Sequence, residues 1–260
     1  MLILRSRSEF SIINALARNQ TGMNRSIERL ATGSRINRAS DDPSGLIAAD
    51  NIHNALTLLN SDLSTLDRVD LIASTADGAL SEVVSLLTQA EGIQLESTNN
   101  AGLTEEEKKA NDESINSIVE AVNKIFNDTS FNDQKLFDGS LRLETPGGKK
   151  LRIGKLDLQL WSRTPEDRLD EIKSFRKQIS TLRGDAGAFS RIAVRTEKRS
   201  IQVSVENLTS AESLIRDTDF AKETANLIRF QTLMKASIKS LQFMRSHAAD
   251  VLALLTNTLK

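Results

Sequence analysis

Few residues in this chain could do chemistry. His53 and His247 fall in different apolar-periodic segments, and a metal site would need further His or carboxylate ligands clustered with them. Both read as surface or seam histidines. There is no cysteine, which excludes disulfides and thiolate metal sites. Nucleophilic catalysis would then need a Ser, Thr or Lys with a base, and no Gly-x-Ser-x-Gly elbow occurs. Pro146-Gly147-Gly148-Lys149-Lys150 lacks the Gly-x-x-x-x-Gly-Lys-Ser/Thr frame of a phosphate loop and reads as a turn. Asp217-Thr218-Asp219 lacks the remaining ligands of a calcium loop and sits at a helix break, where capping is the simpler role. Glu105 to Lys109 is a charged first helical turn. The expectation is no enzyme, no cofactor and no metal.

The totals agree with that. The 260 residues carry a net charge of -1, so no basic surplus exists to neutralise nucleic-acid phosphates. Aromatics are only 4%, and 3 Pro and 12 Gly leave few helix breaks. The apolar material is mostly Leu, Ile, Val and Ala, which suits helix–helix seams. The N-terminal MLILRSRSEF lacks the apolar core and cleavage site of a secretory signal. No apolar stretch approaches the roughly 18 residues needed to cross a membrane.

The elements follow from periodicity. Ile12, Leu16, Met23, Ile27 and Leu30 form one helical stripe that stops at Thr32-Gly33. In RINRASDDPSG (Arg35 to Gly45), Asp42 is an N-cap and Pro43 a first helical residue, making Arg35 to Asp42 a connector. From Ile52 to Ile93 the apolar residues keep spacings of three and four. A helix from Pro43 to about Ser97 would span roughly 80 Å and needs partners along it. Ser97 to Gly102 is turn chemistry, and Thr104 with Glu107 reads as a capping box. Ile115, Ile118, Val119, Val122, Ile125 and Phe126 then share a helical face.

The region from Leu141 to Ile153 is read as the only β-like part. Leu141 and Leu143, then Leu151 and Ile153, flank a turn at Thr145–Gly148, and Leu156, Leu158 and Leu160 would extend the hairpin. Thr164-Pro165 starts another helix, loosened at Gly184 and Gly187 and interrupted at Arg216–Asp219. The last run carries Phe220, Leu227, Met234, Ile238, Leu241, Leu252, Leu255 and Leu259, and Val251–Leu255 is apolar on several faces. The layout is nearly symmetric. The two terminal helices can pair, and so can the two long segments, but the ends keep apolar surface that asks for other copies or other proteins.

Several stretches resemble the bacterial flagellins. SIERLATGSRINRASDDPSGLIAAD (Ser26–Asp50) is similar to their N-terminal core, STADGALSEV (Ser74–Val83) and FNDQKLFDGS (Phe131–Ser140) to the following blocks, and NLTSAESLIRDTDFAKE (Asn207–Glu223) to the C-terminal side. The resemblance implies a mainly α fold: a long antiparallel, coiled-coil-like helical rod with a small β-hairpin, and paired terminal helices. It implies an inner core of 1–34 with 220–260, a spoke-like connector at 35–46, and an outer rod of 47–219 with the hairpin at about 141–154. Only Leu141–Arg163 occupy the place of the family's variable outer domains, so a minimal member is expected.

By the same resemblance the protein is an extracellular subunit of the flagellar filament, exported without a cleaved signal peptide and polymerising into a helical tube. Its partners would be other copies, flagellar cap and hook-associated proteins, and an export chaperone, with no nucleic acid and no membrane insertion. The assembly residues would be Ile12, Leu16, Ile27, Leu30, Arg35, Asn37, Asp41, Asp42, Leu227, Met234, Ile238, Leu241, Leu252 and Leu255. Because these stripes need neighbours, the termini are expected to be poorly ordered in the free monomer. Two departures stand out. Ser246–Asp250 replaces the family's Pro-Gln, and Gln89, near Glu91 and Ile93, replaces the Arg that an innate immune receptor reads in some members. The alternatives are a hook–filament junction protein, which shares Asp41-Asp42-Pro43, and an intracellular coiled-coil adaptor.

Overall fold

The computed structural model describes the backbone of residues 2–98, 102–160 and 165–257, and the side chains of 7, 9–98, 102–160 and 166–247. In chain order the elements are α1 (Leu2–Thr32), α2 (Pro43–Thr98), α3 (Glu105–Asp128), β1 (Ser130–Phe131), β2 (Gln134–Lys135), β3 (Arg142–Glu144), β4 (Lys150–Arg152), α4 (Pro165–Ala188), a π turn (Phe189–Val194), α5 (Arg195–Arg216) and α6 (Phe220–Asn257). The fold is mainly α with small antiparallel β-ribbons, as expected. Two compact units divide it: residues 1–56 with 207–260, and residues 57–206.

The second unit is built on the seam of α2. Leu66, Val69, Ala73, Ala76, Leu80, Val83, Leu87, Ala90, Gln94 and Ser97 are all buried, spaced alternately by three and four. That is an uninterrupted heptad stripe. It meets α3, the ribbons, α4 and α5 in one core holding Val122, Phe126, Phe137, Leu143, Leu151, Ile172, Ile179 and Ile201. Paired side chains run along the flank in antiparallel order: Glu91 with Arg176 at 2.9 Å, Asp77 with Arg183 at 2.9 Å, Asp70 with Ser190, and Asp67 with Lys198. Phe126 stacks edge-on against Phe137 and Phe175, with ring centroids 5.6 and 6.2 Å apart.

The expected capping box is present: Glu107 N–H donates to Thr104 Oγ1 at 3.3 Å and Thr104 N–H to Glu107 at 2.8 Å. The Thr104 N–H, chiefly, and the Thr104 hydroxyl, both donating to the Glu107 carboxylate, hold it below its ordinary pKa. The hairpin of β3 and β4 is also where the spacing put it, with Leu143 opposite Leu151 and Gly148 N–H closing the turn on Thr145 C=O at 2.8 Å. The expected starts and stops on Asn99–Ala101 and Thr164 lie outside the described residues.

Three expectations need correction. A second ribbon, β1–β2, precedes the hairpin, turning on Asn132 (φ 51°) and Asp133 (φ 64°). Asn and Asp are the non-glycine residues that best tolerate positive φ, so this turn needs no Gly to announce it. Leu156 and Leu158 do not extend the hairpin. Leu156 N–H bonds Phe137 C=O at 3.1 Å, and the Asn123 amide brackets Leu158, donating to its C=O and accepting from its N–H, both at 2.8 Å. Lastly, α2 contains an 18-residue window of mean hydropathy 1.2, long and apolar enough for a span by length and composition alone. Seam residues alternate there with Ser, Thr and Asp, and the seam packs into the core with Ile72, Ala79, Val84 and Leu86 flanking it.

Candidate assembly surface

The first unit pairs α1 with α6, and its connector explains the Asp-rich motif. Gly33 ends α1 at φ +71°, a conformation that favours glycine, with its N–H on Arg29 C=O at 2.9 Å. The chain then pairs with the break between α5 and α6. Arg35 N–H donates to Arg216 C=O at 2.7 Å and Thr218 N–H to Gly33 C=O at 2.8 Å. Asp41 Oδ2 accepts the Asn37 and Arg38 N–H groups at 3.2 and 3.1 Å, folding the connector on itself, and Asn37 Nδ2 donates to Ser34 C=O at 2.9 Å. Ile36 is buried.

Asp42 caps α2: Gly45 N–H donates to Asp42 Oδ1 at 2.9 Å, as does Ser44 Oγ. The Gly45 N–H, chiefly, holds the Asp42 carboxyl below its ordinary value. A Cβ at Gly45 would meet the Asp42 carboxylate and lie 2.9 Å from Ile36 Cδ1, so the short Pro-Ser-Gly start is a packing requirement. Asp219 caps α6 in the same way, through Lys222 N–H at 3.0 Å, as the motif suggested.

A feature the sequence reading missed lies next to this joint. Glu223 is buried and accepts a 2.6 Å hydrogen bond from the buried Ser26 hydroxyl, with Arg29 at 3.8 Å. A Ser on α1 and a Glu on α6, far apart in sequence, carry no local signal of a pair. Gly22 of α1 lies under the Phe230 ring of α6.

The predicted interface residues sit on this unit as follows. Ile12, Leu16, Leu30, Leu227, Met234 and Leu241 are half-buried, whereas Ile27 and Ile238 are 47% and 42% exposed. The side chains of Leu252 and Leu255, with the apolar run Val251–Leu255 and Leu259, lie outside the described residues. Phe10, Ile13, Ile228, Leu233 and Phe243 are exposed as well. A pair of helices has two apolar stripes to bury and only one contact to bury them in, so apolar side chains stay exposed on a single copy.

Of the candidate chemical residues, His53 Nδ1 faces Glu212 Oε1 at 3.4 Å, and the His247 ring packs edge-on to Phe243 at 4.6 Å. Among the described residues no cluster of three or more His, Asp or Glu could hold a metal. The Gly147–Lys150 stretch is a hairpin turn whose Gly147 N–H is held by Glu197 of α5. In the second unit, Gln89 is exposed, Glu91 is paired with Arg176, and Ile93 is half-buried.

Comparison with known proteins places these features. Residues 7–142 match the bacterial flagellin N-terminal helical region and residues 169–255 the bacterial flagellin C-terminal helical region. A flagellin of Halalkalibacterium halodurans is 32% identical over 89% of this chain and 91% of its own length. A flagellin of Bacillus subtilis is 27% identical over 98% of this chain and 100% of its length. The flagellar filament 30.7 kDa core protein of Treponema maltophilum is 24% identical over 98% and 100%. A solved flagellar hook-associated protein of Vibrio parahaemolyticus, 14% identical, covers 82% of this chain and 100% of its own with a TM-score of 0.42, too low to carry an argument for the junction alternative. Full-length relatives that are filament proteins, and an unsatisfied apolar face on the paired terminal helices, agree: the chain belongs to the bacterial flagellin family and is a structural subunit of the extracellular flagellar filament, polymerising with its own copies.

Proposed function

We propose that residues 1–34 with 220–260 form the inner assembly core, that 35–46 is the spoke-like connector, and that 47–219 is the outer rod. Ile12, Leu16, Ile27, Leu30, Leu227, Met234, Ile238, Leu241, Leu252 and Leu255 pack against neighbouring copies, while Arg35, Asn37, Asp41 and Asp42 fix the joint that carries the core. The observation that supports this is the apolar surface left on α1 and α6, including Ile27 and Ile238, after the two helices have paired. With Ile27 and Ile238 already about half covered, burying the rest of each in a polymer is worth about 1 kcal/mol, so assembly draws on many such side chains per subunit together.

The same apolar ends call for an export chaperone before assembly, and the growing filament meets cap and hook-associated proteins at its two ends. The role is structural, and the chain catalyses nothing. The test is seeded growth. Purified monomer is mixed with short filament seeds, beside a chain cut after Asp219, and followed by light scattering and electron microscopy. Long filaments from the full chain alone are expected; a full chain that remains a small fixed oligomer overturns the reading. Protease resistance of both ends in free monomer would contradict assembly-coupled ordering of the core.

A further inference from the structure

The seam of α4 and α5 does not match that of α2. In α2 the buried positions from Leu66 to Ser97 alternate by three and four without a fault. In α4, Ile172, Ile179 and Ala186 are buried at intervals of seven; Val194, at the end of the π turn, and Ile201 of α5 are buried seven apart, and Leu208 and Ile215 continue the spacing in sequence. Between Ala186 and Val194 the interval is eight. One residue too many rotates an α-helical seam by about 100°, which would carry Val194 and Ile201 off the core.

The π turn sits at that fault. Arg195 N–H bonds Ser190 C=O, five residues back in place of four, and Phe189 and Val194 at its two ends are both buried. The glycines expected to loosen the helix are not the cause, because Gly184 and Gly187 both lie within regular α4 and nothing crowds them. We propose that the Phe189–Val194 π turn is a phase corrector: it absorbs the single extra residue, so that two in-register heptad runs face one continuous seam. A π turn carries one more residue per hydrogen-bonded loop than an α turn, which is the correction required.

The surplus shows on the outer side. Ile192 is 65% exposed within the turn, and beside it opens a groove of about 540 Å³ floored by Ala73, Ser74, Ala186 and Gly187. Both lie where the extra residue is taken up.

Deletions in the full chain test this. Removing Ile192, or separately the exposed Arg191, leaves Val194 seven after Ala186 and makes α4–α5 one regular helix. Each variant is expected to melt within about 4 °C of the unaltered chain, with amide exchange across the former turn as slow as in the flanking helix. Removing Lys177, exposed in the faultless run between Ile172 and Ile179, throws one seam segment out of phase and is expected to lower the melting temperature by more than about 10 °C. If the Ile192 and Arg191 deletions both fall as far as the Lys177 deletion, the proposal is wrong. Equal tolerance of all three would overturn it too, since phase would then not constrain this helix.

Discussion

Replacing Gly22 with Ala should destabilise the α1–α6 pair, against the usual sign of that substitution in a helix. An exposed mid-helix Gly→Ala change normally gains about 1 kcal/mol through backbone entropy. At Gly22 a Cβ would lie 2.6, 2.7 and 2.9 Å from Cζ, Cε1 and Cε2 of Phe230. No carbon pair tolerates that approach, so either the ring or the helix must move, and the Arg229 guanidinium 5.2 Å from the ring centroid helps to hold the ring. Overpacking of this kind costs about 1–3 kcal/mol, so the net effect is between about zero and a loss of 2 kcal/mol. Gly78 and Gly92 of α2 have nothing within 4 Å of a built Cβ, so the same change there should gain about 1 kcal/mol. The two sites thus differ by about 1–3 kcal/mol for one chemical change. Native-state hydrogen exchange resolves the helices separately: amide protection in α1 should fall in Gly22→Ala, and protection in α2 should rise in Gly78→Ala. Seeded filament growth should slow only in the first. The packing argument fails if Gly22→Ala protects α1 as much as Gly78→Ala protects α2.

Three further outcomes are expected. Glu223→Ala strands the buried Ser26 hydroxyl and should cost the first unit about 3 kcal/mol in urea unfolding, whereas Glu223→Gln keeps an acceptor and should cost about 1 kcal/mol. Asn123→Ala opens both bonds to the Leu158 backbone and should cost the second unit about 2–3 kcal/mol, read as a lower urea midpoint at unchanged slope. For Asp42 the folded carboxyl titrates below its ordinary value of 3.8, so its contribution is complete above that pH and is lost as pH falls through the lower folded value. Acid unfolding of Asp42→Asn, which keeps the cap without the titration, should therefore show a shallower pH dependence below about pH 4 than the unaltered chain.

What could be read in the chain was whatever depends on neighbours in sequence. The stop at Gly33, the cap–proline start at Asp42-Pro43, the Thr104–Glu107 box and the Leu143–Leu151 hairpin each rest on residues a few positions apart. So does the α2 seam, since threes and fours are a local rhythm. The β1–β2 ribbon was also local but escaped, because its turn uses Asn132 and Asp133 where a glycine is usually sought.

Tertiary structure decided the rest, because it turned on distance in space. Nothing near Ser26 or Glu223 in sequence says that they meet; the pairing of α1 with α6 brings them together and removes water from both. Leu156 and Leu158 have the alternation of strand residues, yet Phe137 C=O and the Asn123 amide take their backbone groups before a strand can. The eight-residue step from Ala186 to Val194 was present in the sequence throughout. Only the packing of both sides against one core shows it as a fault, because phase is a relation between a helix and what it faces.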